Sequence, residues 1–333
     1  MKFDVGIDLG TTNTKIFLKN KTDILNIPSV IAIRKNNGKI LEVGEKAYEM
    51  LGKTPDSIIV KQPVEKGIVR DIKLNRMMIQ EILSKIYKKM FGKTKICVCF
   101  HSFMTDLEKF TFKNSILNPQ HNEIFLIDES LASAIGENVD LSENSCFLVI
   151  NVGGGTTDIS IISNKGVLYN RSLQIGGEIL DQIIQKNLLL NHGVLIGKAT
   201  SEKLKKKAIT MLNLSENLKF KIKGKDVRTR QPITITLTQK EICKNIHKPI
   251  NKIIDNIIDI LKTIEPDVIF NLQKTGIILT GGCSLIPGFS KLIEKKTGFG
   301  VKKGNVPISC AAIGALNSFE FLNDNFLEYI FPA

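Results

Sequence analysis

The chain has 333 residues, 43% of them hydrophobic, which is more apolar material than one compact core needs, so two domains are expected. Its net charge of +13 suits nucleic acid, anionic lipid or acidic partners, but aromatics make up only 6%, Trp is absent, and no stretch interleaves Phe or Tyr with Arg; nucleic-acid binding is not expected. No run of about 18 uncharged apolar residues occurs, the N-terminal MKFDVGIDLG has an acid where a signal peptide needs its apolar core, and six cysteines lie mostly in apolar runs without metal-ligand spacing, which together predict a soluble cytoplasmic protein with buried thiols.

In chain order, FDVGIDLGTTNTKIFLK (3–19) alternates apolar residues around a Gly/Thr turn and predicts a β-hairpin. SVIAIRK and KILEVG predict short strands. In RMMIQEILSKIYKKM, Met77, Ile79, Ile82, Leu83 and Ile86 recur at mostly helical spacing. KICVCF and EIFLID predict strands, and ESLASAIGEN a helix of small residues suited to close packing. A second hairpin follows in FLVINVGGGTTDISIIS (147–163), then a strand in GVLYNRSLQ and a helix in GEILDQIIQKNLLLN. RQPITITLT alternates strictly, and Thr238 with Glu241 forms a capping-box signature for a long Ile-rich helix that Pro249 kinks or splits. TGIILTGGCSLIPGFSKLIEKKTG gives strand, glycine turn and helix. At the end of the chain Phe319, Leu322, Phe326 and Ile330 repeat at helical spacing, which favours a packed tail over a second membrane contact or a filament contact.

The two hairpins share one plan and differ by one or two glycine insertions, the mark of an internal repeat. Two related α/β units would then face each other across a cleft, and since no Ser/Pro/Gly-rich linker separates them, packed helices should join them. The turns carry the chemistry. Glycine lets backbone N–H groups converge on phosphate oxygens, threonine hydroxyls add donors, and a carboxylate such as Asp8 at the end of the preceding strand can hold waters around a phosphate-bound Mg²⁺. A third glycine turn, LTGGCSLIPG, adds to the pattern, which is neither a P-loop nor a Rossmann fingerprint.

GIDLGTTNT, IDESLASAIG, INVGGGTTDISII, IGGEILD and GIILTGGCSLIPG follow the order and approximate spacing of the five nucleotide-binding segments of the actin superfamily. LNIPSVIAI, VGEKAYEMLGKTPDSIIVKQPVEKGIVRD and ATSEKLKK narrow the resemblance, which spans about residues 3 to 318, to the MreB family of bacterial actins. The resemblance implies an α/β actin-like ATPase fold: two ribonuclease-H-like lobes in four subdomains, at 1–31 and 71–140 (IA), 32–70 (IB), 141–178 and 247–333 (IIA), and 179–246 (IIB). It also implies ATP or ADP with Mg²⁺ in the cleft. Gly10, Thr11, Thr12 and Asn13 would line one phosphate loop and Gly153, Gly154, Gly155 and Thr156 the other. Gly177 would sit beside them, Gly281 and Gly282 would form the adenosine-side turn, and Glu202 with Lys205 would contact ribose and adenine. Asp8 would order the metal's waters, Glu129 the attacking water, and Thr157 would assist.

Two departures bear on activity. The family's IEEP is IDES here, so that Ser130 replaces a proline and loosens the backbone beside Glu129. Asn151 stands where the family's DIGGGT supplies a second aspartate to the metal's water shell; an amide accepts a hydrogen bond there but brings no charge, which predicts retained ATP binding with weakened Mg²⁺ dependence and slow hydrolysis. The resemblance further implies head-to-tail, paired filaments serving cell shape or motility, located at the inner face of the cell membrane with actin-like paralogues or cell-shape proteins as partners. Met90 and Phe91, flanked by lysines in YKKMFGKTK, are the candidate wedge for an anionic membrane surface. The alternatives are a nucleotide-binding pseudo-enzyme scaffold and a non-polymerising ATPase of the same superfamily.

Overall fold

The computed structural model describes residues 5–19, 24–87, 94–116, 122–140, 145–163, 166–215, 217–321 and 330–331. Strand Val5–Leu9 pairs antiparallel with Asn13–Leu18, which pairs with Leu25–Pro28. On its other side Val5–Leu9 runs parallel to Thr94–Phe100, itself parallel to Asn122–Asp128. The second sheet repeats this. Cys146–Val152 pairs antiparallel with Thr157–Ser163, and that strand with Gly166–Leu173, while parallel strands Ile277–Thr280 and Val301–Lys303 complete the other side. The hairpins Val5–Leu9/Asn13–Leu18 and Cys146–Val152/Thr157–Ser163 close through short turns, whereas a parallel pair needs a crossover, such as one through helix Ile72–Tyr87 before Thr94–Phe100. Strands Val5–Leu9 and Thr157–Ser163 are buried along their whole length, as expected for strands covered on both faces.

The lobes join through two helices. Glu129–Gly136 follows the first sheet but also packs on strands of the second, and Cys310–Phe321 follows the second but packs on Val5–Leu9 of the first. They approach each other at glycines: a Cβ on Gly314 would strike the Ala132 carbonyl, and one on Gly136 the Cys310 carbonyl. A shared apolar cluster of Cys97, Ile127, Leu131, Val149, Ile278 and Ala315 fills the junction. All six cysteines are buried and free, as small apolar residues.

Each lobe carries a smaller three-stranded sheet, one built from 31–34, 40–43 and 58–61 and the other from 194–195, 219–226 and 232–238. Strand Lys219–Asp226 was not legible in the sequence: KFKIKGKD turns lysines outward and buries only Ile222 fully, so the apolar alternation is too thin to register.

Three element assignments differ from expectation. The helix expected at 76–90 begins at Ile72, because Asp71 Oδ1 accepts the Leu74 N–H at 3.0 Å and caps it. Thr238 and Glu241 do form a capping box, but on the single turn Gln239–Ile242; the chain breaks at Asn245 (φ 66°) and restarts as His247–Thr263. Pro249 thus lies in the first turn of the second helix, where its missing N–H costs nothing, and the split falls ahead of it. The described helix covers Cys310–Phe321, Leu322 and Phe326 lie outside the described residues, and Ile330 belongs to a strand, Ile330–Phe331, pairing antiparallel with Leu126 and Ile127.

Candidate functional site

The two hairpin turns have the same backbone closure. Gly10 N donates to Asn13 O at 3.2 Å, and Gly153 N donates to Thr156 O at 2.9 Å. They also touch one another. A Cβ on Gly154 would run into Thr12 Oγ1, and one on Gly155 would lie 2.7 Å from Thr11 Oγ1, so only glycine allows the second loop to close on the threonines of the first. The helix Gly177–His192 is tied to the second loop, with Gly177 N donating to Gly153 O and Glu178 N to Gly154 O. The third turn reaches the same place: Gly281 (φ 82°) packs against Val152 O and Asn151 Oδ1 so closely that no Cβ fits.

These turns enclose a cleft of about 360 Å³, within the range of small-molecule sites. It is lined by both loops from Gly10 to Asn13 and Gly153 to Thr156, by Asp8, Glu129 and Asn151, and by Gly177, Glu202, Lys205, Gly281 and Gly282. Thr157 is the exception. Its hydroxyl donates to Ile175 O at 2.6 Å and the residue is fully buried outside the cleft lining, because in a strand successive side chains point to opposite faces and Thr156 takes the cleft side. Met90 and Phe91 lie outside the described residues.

At the cleft floor Lys15 Nζ donates to Asp8 Oδ2 at 2.6 Å. Burial disfavours the Lys15 charge, but the Asp8 carboxylate outweighs it and raises the lysine's pKa. Glu129 opens its helix at the end of strand Asn122–Asp128. Asp128 caps that helix, with Oδ1 accepting from Ser130 N (2.9 Å) and Leu131 N (3.2 Å), and Oδ2 accepting from the Ser102 hydroxyl. Burial pushes Asp128 up to about 6 against these hydrogen bonds. Ser130 does not loosen this segment. The N–H that a proline would lack is the one bonded to Asp128, and its hydroxyl accepts from Ser160 at 2.7 Å.

Both oxygens of the Glu129 carboxylate meet a polar partner. Asn151 Nδ2 donates to Oε1 at 2.5 Å; His101 Nδ1 lies 2.8 Å from Oε2 as an ion pair, while its hydrogen bond runs to Asp158 Oδ2 at 3.2 Å. Burial opposes charge on His101, but Glu129 and Asp158 together raise its pKa well above 6.5. Asn151 therefore does something the sequence did not suggest, since its amide is a donor to the carboxylate.

At the outer end of the cleft, Lys205 bonds Asp181 Oδ2 (2.6 Å) and Gly177 O (3.1 Å). Burial holds Asp181 at about 6, with Lys205 pulling the other way. Glu202 accepts from Tyr48 OH across the cleft at 2.5 Å and pairs with Lys206 at 2.7 Å; burial opposes these two, which together lower its pKa. Lys198 Nζ likewise reaches across to Gln62 Oε1 at 2.6 Å. Lys15, His101, Tyr48 and Asp181 were not singled out in the sequence. Lys15 lay in plain view inside the first hairpin, two residues beyond Asn13, but His101 and Tyr48 reach the site only through tertiary contacts.

Two lobes with one repeated strand order, joined by packed helices around a glycine-lined cleft, define an actin-like fold. More narrowly, the chain belongs to the MreB/Mbl protein family, which matches residues 2–325. It is similar to the cell shape-determining protein MreB of Escherichia coli, with 31% identity over 326 residues covering 96% of this chain and 94% of that one. The cell shape-determining protein Mbl of Bacillus subtilis is 31% identical over 312 residues, 93% of this chain and 94% of Mbl. Among solved structures, MreB5 of Spiroplasma citri bound to AMPPNP superposes with a TM-score of 0.87 at 24% identity, covering 97% of this chain and 98% of that one. The MamK double helical filament superposes at 0.79 with 18% identity, covering 96% and 99%. At these identities the structural likeness establishes the fold.

Proposed function

We propose that this chain is a nucleotide-dependent cytoskeletal polymer: it binds ATP or ADP in the interlobe cleft and assembles into filaments that serve cell shape or motility. The observation that carries this is the closure of the two glycine turns on one another, Gly154 on Thr12 and Gly155 on Thr11, at the floor of one cleft. Such paired turns offer backbone N–H groups and hydroxyls to a polyphosphate from both sides. Glu202 and Lys205 at the cleft's outer end are the proposed contacts to ribose and adenine. The relatives' names, cell shape-determining proteins and a double helical filament, support the cellular role and self-assembly.

Beside the loops the cleft floor offers oxygen acceptors, Asp8 and the Asn151 Oδ1 atom, which fit a hard cation that keeps most of its waters. Asp8, with Asn151 more weakly, would hold Mg²⁺ through water, and the ion would neutralise charge developing on the phosphates. Lys15 adds a fixed positive charge at the same floor, and Glu129 orients the attacking water. Catalysis of this kind is positioning and charge neutralisation, so with one carboxylate replaced by Asn151 hydrolysis should be slow, a timer for filament lifetime.

Further parts of the proposal are the four-subdomain division at the boundaries given above, a location at the inner face of the cell membrane through Met90 and Phe91, and pairing with actin-like paralogues. Among the described residues no helix is long and apolar enough to cross a membrane. The decisive experiment is electron microscopy of the purified protein with and without ATP, beside titration with a fluorescent ATP analogue. Filaments with saturable binding are expected; binding without filaments favours a scaffold, and absence of binding defeats the proposal. Pelleting with anionic liposomes tests the wedge, since undiminished binding by Met90→Ser with Phe91→Ser would reject it.

A further inference from the structure

The carboxylate of Glu129 is held by groups from both lobes. Glu129 stands at the end of one first-sheet strand, and His101 directly follows the neighbouring strand Thr94–Phe100. Asn151 and Asp158 come from the second sheet, where they are cross-strand partners in the second hairpin. Asn151 donates to one oxygen of Glu129 and the His101 imidazole pairs with the other, so the carboxylate can neither rotate nor swing without breaking the Asn151 hydrogen bond or opening the ion pair.

The imidazole is itself walled in. Its ring stacks on Phe103 with centroids 5.3 Å apart and planes 14° from parallel. Its opposite edge abuts Gly67 (φ 76°), where a Cβ would come within 2.5 Å of Nε2. Asp158, 2% exposed, faces Nδ1 with Oδ2 and also accepts from Thr156 Oγ1 at 3.4 Å, which links the imidazole to the second phosphate loop. A structural ion pair needs only one acid. Here one imidazole bridges two buried carboxylates at the cleft floor: it hydrogen-bonds Asp158 at 3.2 Å and sets its charge closer, at 2.8 Å, to the carboxylate that lines the cleft.

We propose that His101 is a positioning residue for ATP hydrolysis in this chain, fixing the Glu129 carboxylate against the attacking water while Asp158 fixes the imidazole. This rests on the nucleotide-binding proposal for the same cleft. Each Glu129 oxygen keeps lone-pair capacity, so a carboxylate held by the Asn151 donor and the His101 ion pair still accepts a hydrogen bond from water, now in a single orientation. In the reaction the water oxygen bonds the terminal phosphorus, and the bond from that phosphorus to the bridging oxygen breaks with its electron pair left on ADP. The water's proton passes to Glu129 and on to solvent. Since a displacement of about 1 Å can cost on the order of a hundredfold in rate, an unheld Glu129 should be a much poorer guide for water.

The test is phosphate release at saturating ATP together with affinity for a fluorescent ATP analogue, in wild type, His101→Leu and His101→Gln. Leucine fills the space without a donor, whereas glutamine keeps a neutral N–H. His101→Leu is expected to lower turnover about tenfold or more with affinity within about twofold, and His101→Gln to restore most of the rate, a rescue that a purely structural histidine would not show. Three results overturn the inference: unchanged turnover in His101→Leu, joint loss of affinity and turnover in both variants, and a wild type that binds ATP but releases no phosphate. A wild type that binds no nucleotide defeats the cleft assignment itself, and this inference with it.

Discussion

Asn151→Asp separates the roles of the amide most directly. Asn151 and Glu129 are 7% and 8% exposed, and the Asn151 amide nitrogen lies 2.5 Å from Glu129 Oε1. Aspartate removes that donor, a hydrogen bond to a charged group worth about 1.5–3 kcal/mol. It also sets two carboxylates face to face; with their charges about 4 Å apart and an effective dielectric near 20, the repulsion is about 4 kcal/mol. Part of this is relieved if one acid takes a proton, so a net loss of about 2–4 kcal/mol is expected at pH 8 without divalent ions. A cation between the two carboxylates would cancel the penalty. Thermal melting of wild type and variant, each with EDTA and with Mg²⁺ and ADP, should show a gap that is wide in EDTA and narrow with Mg²⁺, and nucleotide binding should become strongly Mg²⁺-dependent in the variant. Equal melting temperatures in EDTA would refute the claim that Asn151 acts as a donor to Glu129.

The remaining predictions concern stability and the loops. Because the pKa of His101 is raised in the folded protein by Glu129 and Asp158, its contribution to stability is complete below about pH 6.5 and is lost as pH rises through the higher folded value; melting temperature measured from pH 6.5 to 10 should fall, and His101→Gln should flatten that slope. Lys205→Met strands Asp181, 4% exposed and with Oδ1 already unpartnered, and should cost about 3 kcal/mol in chemical denaturation. That loss should be smaller at pH 5.5, where Asp181 can take a proton, and Asp181→Asn should recover most of it; a pH-independent loss would mean the ion pair is not the cause. Gly154→Ala should abolish analogue binding by forcing its Cβ against Thr12, while Gly197→Ala, with open space around it, should bind normally. Tyr48→Phe removes the cross-cleft bond to Glu202, and stopped-flow release of the analogue should be several-fold faster; an unchanged rate would show that this contact does not hold the cleft shut.

The sequence by itself determined the repeated hairpins, the strand-and-helix order and the glycine turns, because these depend on local period and on glycine's access to backbone shapes closed to other residues. It also brought Asp8, Glu129 and Asn151 to notice, since each sits in a turn or at a strand end beside such a motif. Tertiary structure alone decided what those side chains meet. Thr157 turns away from the cleft because strand alternation gives the inward position to Thr156, and Ser130 tightens rather than loosens its helix because its N–H finds Asp128. Asn151 looked like a charge removed. Only the packing of one sheet's strand ends against the other's makes it a donor, opposite a histidine 50 residues away in the chain, on the two oxygens of one carboxylate. Local pattern encodes which faces are buried; which polar groups then share the buried space depends on how the lobes meet, and no short-range periodicity carries that.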